Sequence, residues 1–124
     1  MRERPKGDAL LACARRLLRD EVLPALPGDR KHALLMALNA MSIAERQLHN
    51  GDEPERVELA ELRALLDDEG AALGDANRRL GRLIRAGDGD PGSARRGALL
   101  AQLRAQGVRR LAESNPKVLP KTPQ

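Results

Sequence analysis

The chain has 124 residues, a net charge of +4 and no Phe, Tyr or Trp. Its length suits a single domain, and without aromatics it lacks the stacking platforms on which single-stranded nucleic acid is held. Its one cysteine, Cys13, has no partner within the chain, and no run approaches the ~18 consecutive apolar residues of a membrane-spanning helix.

Ala, Leu, Arg and Glu dominate the sequence, and all four favour helix. No alternating run of Val, Ile or Thr suggests a strand. The expected class is all-α, a compact antiparallel bundle of about five helices. Residues 1–7 read as a flexible N-terminal arm, 8–113 as one helical domain, and 114–124 as a Pro-rich tail. The apolar run after the basic N-terminus is soon broken by Arg15 and Arg16, unlike a signal peptide. A cytoplasmic location is the expectation.

The first helix is predicted from about Asp8 to Leu23, with Leu10, Ala14, Leu17 and Leu18 on its apolar side and Cys13 at the edge. Pro24 stops it, because the residue before proline avoids the α region. The second, from Asp29 to Asn50, is the longest uninterrupted helical run and is expected to be central. At 100° per residue, Leu34, Leu38, Met41 and Leu48 share a seam. Ala33, Ala37, Ala40 and Ala44 lie beside it, with Met36 and Ile43 further round. That arc is wider than the stripe of a helix lying on one neighbour, so burial on two sides is expected. Asp29 is the expected N-cap and Asn50-Gly51 the stop.

A third helix opens with acids and Pro54 and carries Val57, Leu59, Leu62, Leu65 and Leu66. Its end, Asp67-Asp68-Glu69, sets three acids against the helix macrodipole, which predicts fraying. A fourth helix, from about Ala71 or Asp75 to Ala86, has the stripe Leu73, Leu80, Leu83 and Ile84. After the loop GDGDPGS, Ser93 caps a fifth helix to about Ala112, with Leu99, Leu100, Leu103, Gly107 and Leu111 expected to face inward.

The histidines, His32 and His49, are roughly 25 Å apart on one helix and cannot share an ion within one chain. Three residues after Glu45 stands Leu48, so the Glu-x-x-His pair of di-iron bundles is missing. Cys13 lacks an adjacent base, and GDGDPGS matches neither Gly-rich phosphate fingerprint. The residues suggest no metal, no cofactor and no catalytic set, so a non-enzyme is favoured.

Two polar residues interrupt apolar stripes: Glu45 in the seam of the second helix and Asn77 between Leu73 and Leu80 in the fourth. A carboxylate there must be paired or protonated, and Arg15, Arg78 or Arg82 would supply the partner. Asn39, Ser42 and Arg46, at i, i+3 and i+7, form a hydrogen-bonding row that is either a solvated face or a surface for a carboxylate or phosphate. Charge is uneven: residues 1–75 carry a net −4 and residues 76–124 a net +8. A basic half suits an acidic partner, an anionic small molecule such as a nucleotide or acyl-CoA, or nucleic acid. Nucleic acid ranks below the others, since the arginines form no recognised motif.

Four stretches, LLRDEVLPALPG (17–28), ALNAMSIAERQL (37–48), ANRRLGRLIRAGD (76–88) and RLAESNP (110–116), together resemble a small all-helical bacterial family of uncharacterised function. The resemblance marks Asn39, Arg46, Asn77, Arg85 and Asn115 as candidate binding residues, beside Ser42 and Glu45 from the helix pattern. This chain departs from the family pattern at Leu35, where Arg is usual, and at Gly81, where Cys is frequent. Genes of that family commonly stand beside aminoglycoside-phosphotransferase-like kinases and acyl-CoA dehydrogenases. The resemblance therefore implies an accessory or interaction protein, with such a kinase or dehydrogenase as partner; a homo-oligomer is a separate expectation.

Overall fold

The computed structural model describes residues 3–121, so Met1, Arg2 and residues 122–124 of the expected arm and tail lie outside the described residues. The described chain is all-α, with five α-helices and no strand: α1 (Gly7–Leu17), α2 (Gly28–Asn50), α3 (Glu53–Leu66), α4 (Leu73–Arg85) and α5 (Arg96–Ser114). Within it the helices gather into two compact units, one ending at Gly51 and the other beginning at Asp52. No helix among the described residues is long and apolar enough to cross a membrane.

In the N-terminal unit α1 packs on α2. The expected first helix reaches past Leu17, but not as α-helix. Its hydrogen bonding widens to a π turn over Leu18–Val22 and then tightens to a 3-10 turn over Leu23–Ala25. Pro24 explains both changes: it has no N–H to donate, and its ring would strike the carbonyl four residues back. The chain enters α2 at Pro27, whose carbonyl accepts from the backbone of Arg30 and Lys31, each at 3.0 Å. Pro27, not Asp29, therefore holds the cap position, and Asp29 sits in the first turn, where its charge favours the helix dipole. Gly51 ends α2 with φ 59°, a conformation in which a β-carbon would be strained.

One α2 side chain is fully buried, Leu38, while Leu34 and Met41 beside it are half-buried. On the opposite side of the helix Ala33, Met36 and Ala40 are exposed and Ile43 is half-buried. α1 turns Asp8, Leu11, Arg15 and Leu18 towards α2. Arg15 pairs with Glu45 at 3.0 Å, and Asp8 Oδ2 lies 3.4 Å from His49 Nδ1. The expected inner stripe of this helix, Leu10, Ala14 and Leu17 with Cys13, is exposed instead, and Leu18 alone of that set is half-buried. The Asp8 carboxyl is held below its usual range, first by the Ala9 backbone N–H donating to it at 2.9 Å and then by His49.

The C-terminal unit holds the apolar core. Leu62 and Leu66 of α3, Ala71 of the following turn, Ala76 and Leu80 of α4, and Leu99 of α5 form one buried cluster, with Leu65, Leu73 and Leu83 against it. The acid-rich end of α3 is pinned rather than frayed. Asp67 takes the left-handed cap conformation, and Asp68 donates its backbone N–H to Arg63 O at 3.0 Å. Asp68 also pairs with Arg79 of α4, and Arg63 Nε donates to Ala71 O at 2.9 Å. Arg79, reaching over from α4, thus neutralises one of the three acids that the dipole disfavours.

α5 starts at Arg96, and Ser93 lies outside it, its Oγ accepting from the Arg95 backbone N–H at 3.4 Å. The helix is turned differently from the leucine pattern. Its buried residues are Leu99, Gln102 and Gln106, while Leu103 and Leu111 are 40% and 38% exposed.

Leu62, with no exposed surface, sits at the centre of this core. Leu62→Ala is expected to lower unfolding free energy by about 2–5 kcal/mol in urea denaturation, whereas Met36→Ala on the exposed side of α2 should change it by less than about 0.5 kcal/mol.

Candidate functional site

The most polar interior of the chain lies between α3, α4 and α5. Three turns of α5 carry Gln102, Gln106 and Arg109 on one side, and α3 offers Glu58 and Glu61, three residues apart and so on one face. Arg109 grips Glu61 with both terminal nitrogens, Nη1 to Oε1 at 3.2 Å and Nη2 to Oε2 at 2.5 Å. This is the forked geometry that makes guanidinium–carboxylate pairs strong. Gln102 Nε2 donates to the same Glu61 at 3.5 Å.

One turn earlier on α3, Glu58 Oε1 accepts from Asn77 Nδ2 at 2.9 Å and from Gln106 Nε2 at 3.2 Å. Gln106 Nε2 also reaches Asn77 Oδ1 at 3.3 Å, and Asn77 Nδ2 reaches the Leu73 carbonyl at 3.2 Å. The three helices are thus tied by one side chain each, with Asn77 both giving and receiving. Arg109 Nε is buried without an acceptor, a donor whose desolvation is not offset.

A cleft of about 290 Å³ opens beside this network, lined by Pro54, Glu55 and Glu58 of α3, Leu73 and Asn77 of α4, and Arg109, Arg110 and Glu113 of α5. That volume is at the small end of ligand pockets. Three carboxylates against two guanidiniums, one of them committed to Glu61, make the lining unwelcoming to a phosphate or carboxylate. Among the described residues no group of three His, Cys, Asp or Glu is placed to hold a metal ion.

Of the residues singled out from the sequence, Asn77 alone lines the cleft. Glu45 is paired with Arg15, one of its expected partners, at a quarter of full side-chain exposure. Ser42 donates to the Leu38 carbonyl one turn back at 3.1 Å, so its hydroxyl is spent within α2. Asn39 is exposed and Arg46 half-buried on the same helix. Arg85 is exposed on α4, its guanidinium 3.8 Å from where a β-carbon on Gly81 would stand. Asn115 is exposed just beyond α5 and donates its backbone N–H to Leu111 O at 2.9 Å.

Sequence reasoning missed Glu58, Glu61, Gln102, Gln106 and Arg109. The available signal was the i, i+4, i+7 spacing of Gln102, Gln106 and Arg109, a polar row on a helix otherwise read by its leucines.

Residues 24–118 match the family described as "Domain of unknown function (DUF6285)". The match covers most of the chain, α2 to α5 in full, and the chain belongs to this family. No curated protein and no solved structure matches it.

Replacing Asn77 by Ala withdraws a donor from Glu58 and an acceptor from Gln106. Asn77→Ala is expected to cost about 1–3 kcal/mol in denaturant unfolding, while Asn39→Ala on exposed α2 surface should cost less than about 0.5 kcal/mol.

Proposed function

We propose that this chain is a non-catalytic accessory protein that binds another protein through the outer row of α2. The carrying observation is the composition of that row. Ala33, Met36 and Ala40 are exposed, with Met36 58% accessible, on the side of α2 opposite the one fully buried residue, Leu38. Small side chains at i and i+7 let a partner helix approach closely, and Met adapts its shape to whatever arrives. The partner we propose is the one the family resemblance implies, a phosphotransferase-like kinase of an acyl-CoA-linked pathway, whose genes commonly neighbour those of the family.

Co-expression with that kinase tests the reading. The two are expected to co-elute at micromolar concentration, and Met36→Lys or Ala40→Lys should weaken the complex about tenfold or more. Separate elution, with the kinase's activity unaltered by this chain, rejects it.

A second reading, an anionic small molecule held on the basic C-terminal half, is favoured by α4. Arg78, Arg82 and Arg85 share one exposed face, and among the described residues Arg82 and Arg85 carry no ion pair. Phosphate-bearing ligands, ATP and acetyl-CoA among them, would then raise the thermal midpoint in proportion to their affinity. Arg82→Ala with Arg85→Ala would remove that shift, and the absence of any shift with the unaltered chain discards the reading.

A further inference from the structure

α1 presents one apolar row to solvent, while the row turned to α2 is mixed, Asp8, Leu11 and Arg15 with Leu18 just beyond the helix. Leu10 and Leu17 are 55% and 54% exposed, and Cys13 and Ala14 between them are exposed as well. These four residues, at i, i+3, i+4 and i+7, form one continuous stripe. The opposite row is occupied, since Asp8 meets His49 and Arg15 meets Glu45. Nothing among the described residues of the N-terminal unit covers the stripe.

The ends of the stripe are charged with opposite sign. Lys6, the N-cap of α1, stands one turn before Leu10, and Glu21 lies in the π turn that follows Leu17. Both are exposed, and neither carries an ion pair among the described residues. The stripe is its own complement when two copies run antiparallel. A two-fold axis between Cys13 and Ala14 sets Leu10 of one copy against Leu17 of the other, and Lys6 against Glu21 at both ends. A parallel arrangement would oppose like charges.

We propose that α1 is a self-pairing surface whose occupant is the α1 of a second copy of this chain, packed antiparallel about that axis. Apolar contact provides the attraction, and the two Lys6–Glu21 pairs select the antiparallel direction. Because the helix is short, the contact lies at the small end of specific interfaces, and the pairing is an equilibrium at micromolar concentration rather than a permanent dimer. α1 precedes residues 24–118, which define the family match, so the pairing is proposed for this chain. It involves α1 and not the outer row of α2, and it stands or falls separately from the proposed accessory role.

Sedimentation velocity over a concentration series, with charge-exchanged variants and a short bismaleimide to report on Cys13, tests the proposal on the full chain. The unaltered chain should shift from monomer to dimer with concentration, and the reagent should link the two Cys13 thiols near the axis. Leu17→Lys should remain folded by circular dichroism, since the site is exposed, and stay monomeric and uncrosslinked. Lys6→Glu alone and Glu21→Lys alone should each weaken the dimer at least tenfold, and the two together should restore it. The proposal is overturned if the chain is monomeric throughout, or if the dimer survives Leu17→Lys. It is also overturned if the double exchange fails to restore what either single exchange removes. A monomer in which Leu17→Lys abolishes kinase binding would assign the stripe to a different protein and likewise reject self-pairing.

Discussion

A guanidinium drawn part-way between two helices is met by a carboxylate, because a half-buried polar group left unsatisfied costs about 1–3 kcal/mol. One such pair stands in each unit, Arg15 with Glu45 and Arg109 with Glu61. Each fixes how a helix is rotated about its own axis. On α5 the pair acts with Gln102 and Gln106 to set a polar row against α3, leaving Leu103 and Leu111 partly exposed. Turning α5 to bury those leucines would recover roughly 1 kcal/mol for each, a fraction of the ~1.5–3 kcal/mol of a full leucine burial. The same rotation would strip Glu61 of its fork and Glu58 of Gln106. By magnitude the polar row wins.

Composition sharpens that outcome. An aromatic side chain buries about 150–250 Å² and can dictate which face of a helix turns inward. This chain has none, so its apolar faces are made of Leu, Ala and Met, whose individual payload is smaller. On α1 the stripe from Leu10 to Leu17 lies outward while Asp8 and Arg15 are engaged with α2. In both units polar contacts join apolar packing in setting how a helix is turned, and surplus apolar surface is left on the outside.

The same balance explains what could be read from the sequence. Helical content, the break at Pro24 and the glycine stop at Gly51 are local properties, carried by residues within one or two turns, and they are visible in the pattern. Glu45 and Asn77 stood out because each interrupts an apolar stripe, and both are found in polar contacts. Glu58 and Glu61 did not stand out: in the acid-rich third helix they look like an ordinary solvated face. Their partners Gln106 and Arg109 come 48 residues later, and complementarity over that distance leaves no periodic trace. Periodicity locates an apolar stripe but does not say which face a neighbour takes. The π turn at Leu18–Val22 was likewise hidden, since it arises from how the backbone accommodates Pro24.

An amphipathic helix ordinarily buries its apolar stripe and solvates its polar one; α1 inverts this in part, burying a mixed row and leaving Leu10 and Leu17 outside, as α5 does with Leu103 and Leu111. The N-terminal unit bears the greater cost of this inversion. With Leu38 as its one buried side chain among the described residues, the α1–α2 pair gains little from core packing, while each ordered residue costs about 1–2 kcal/mol of backbone entropy. The Arg15–Glu45 and Asp8–His49 contacts fix the orientation of the pair but add little free energy of their own, because surface pairs are commonly worth about 1 kcal/mol or less. Covering the outer rows of α1 and α2 would therefore add apolar burial that this unit lacks. Whatever covers them, stability and association draw on the same exposed side chains.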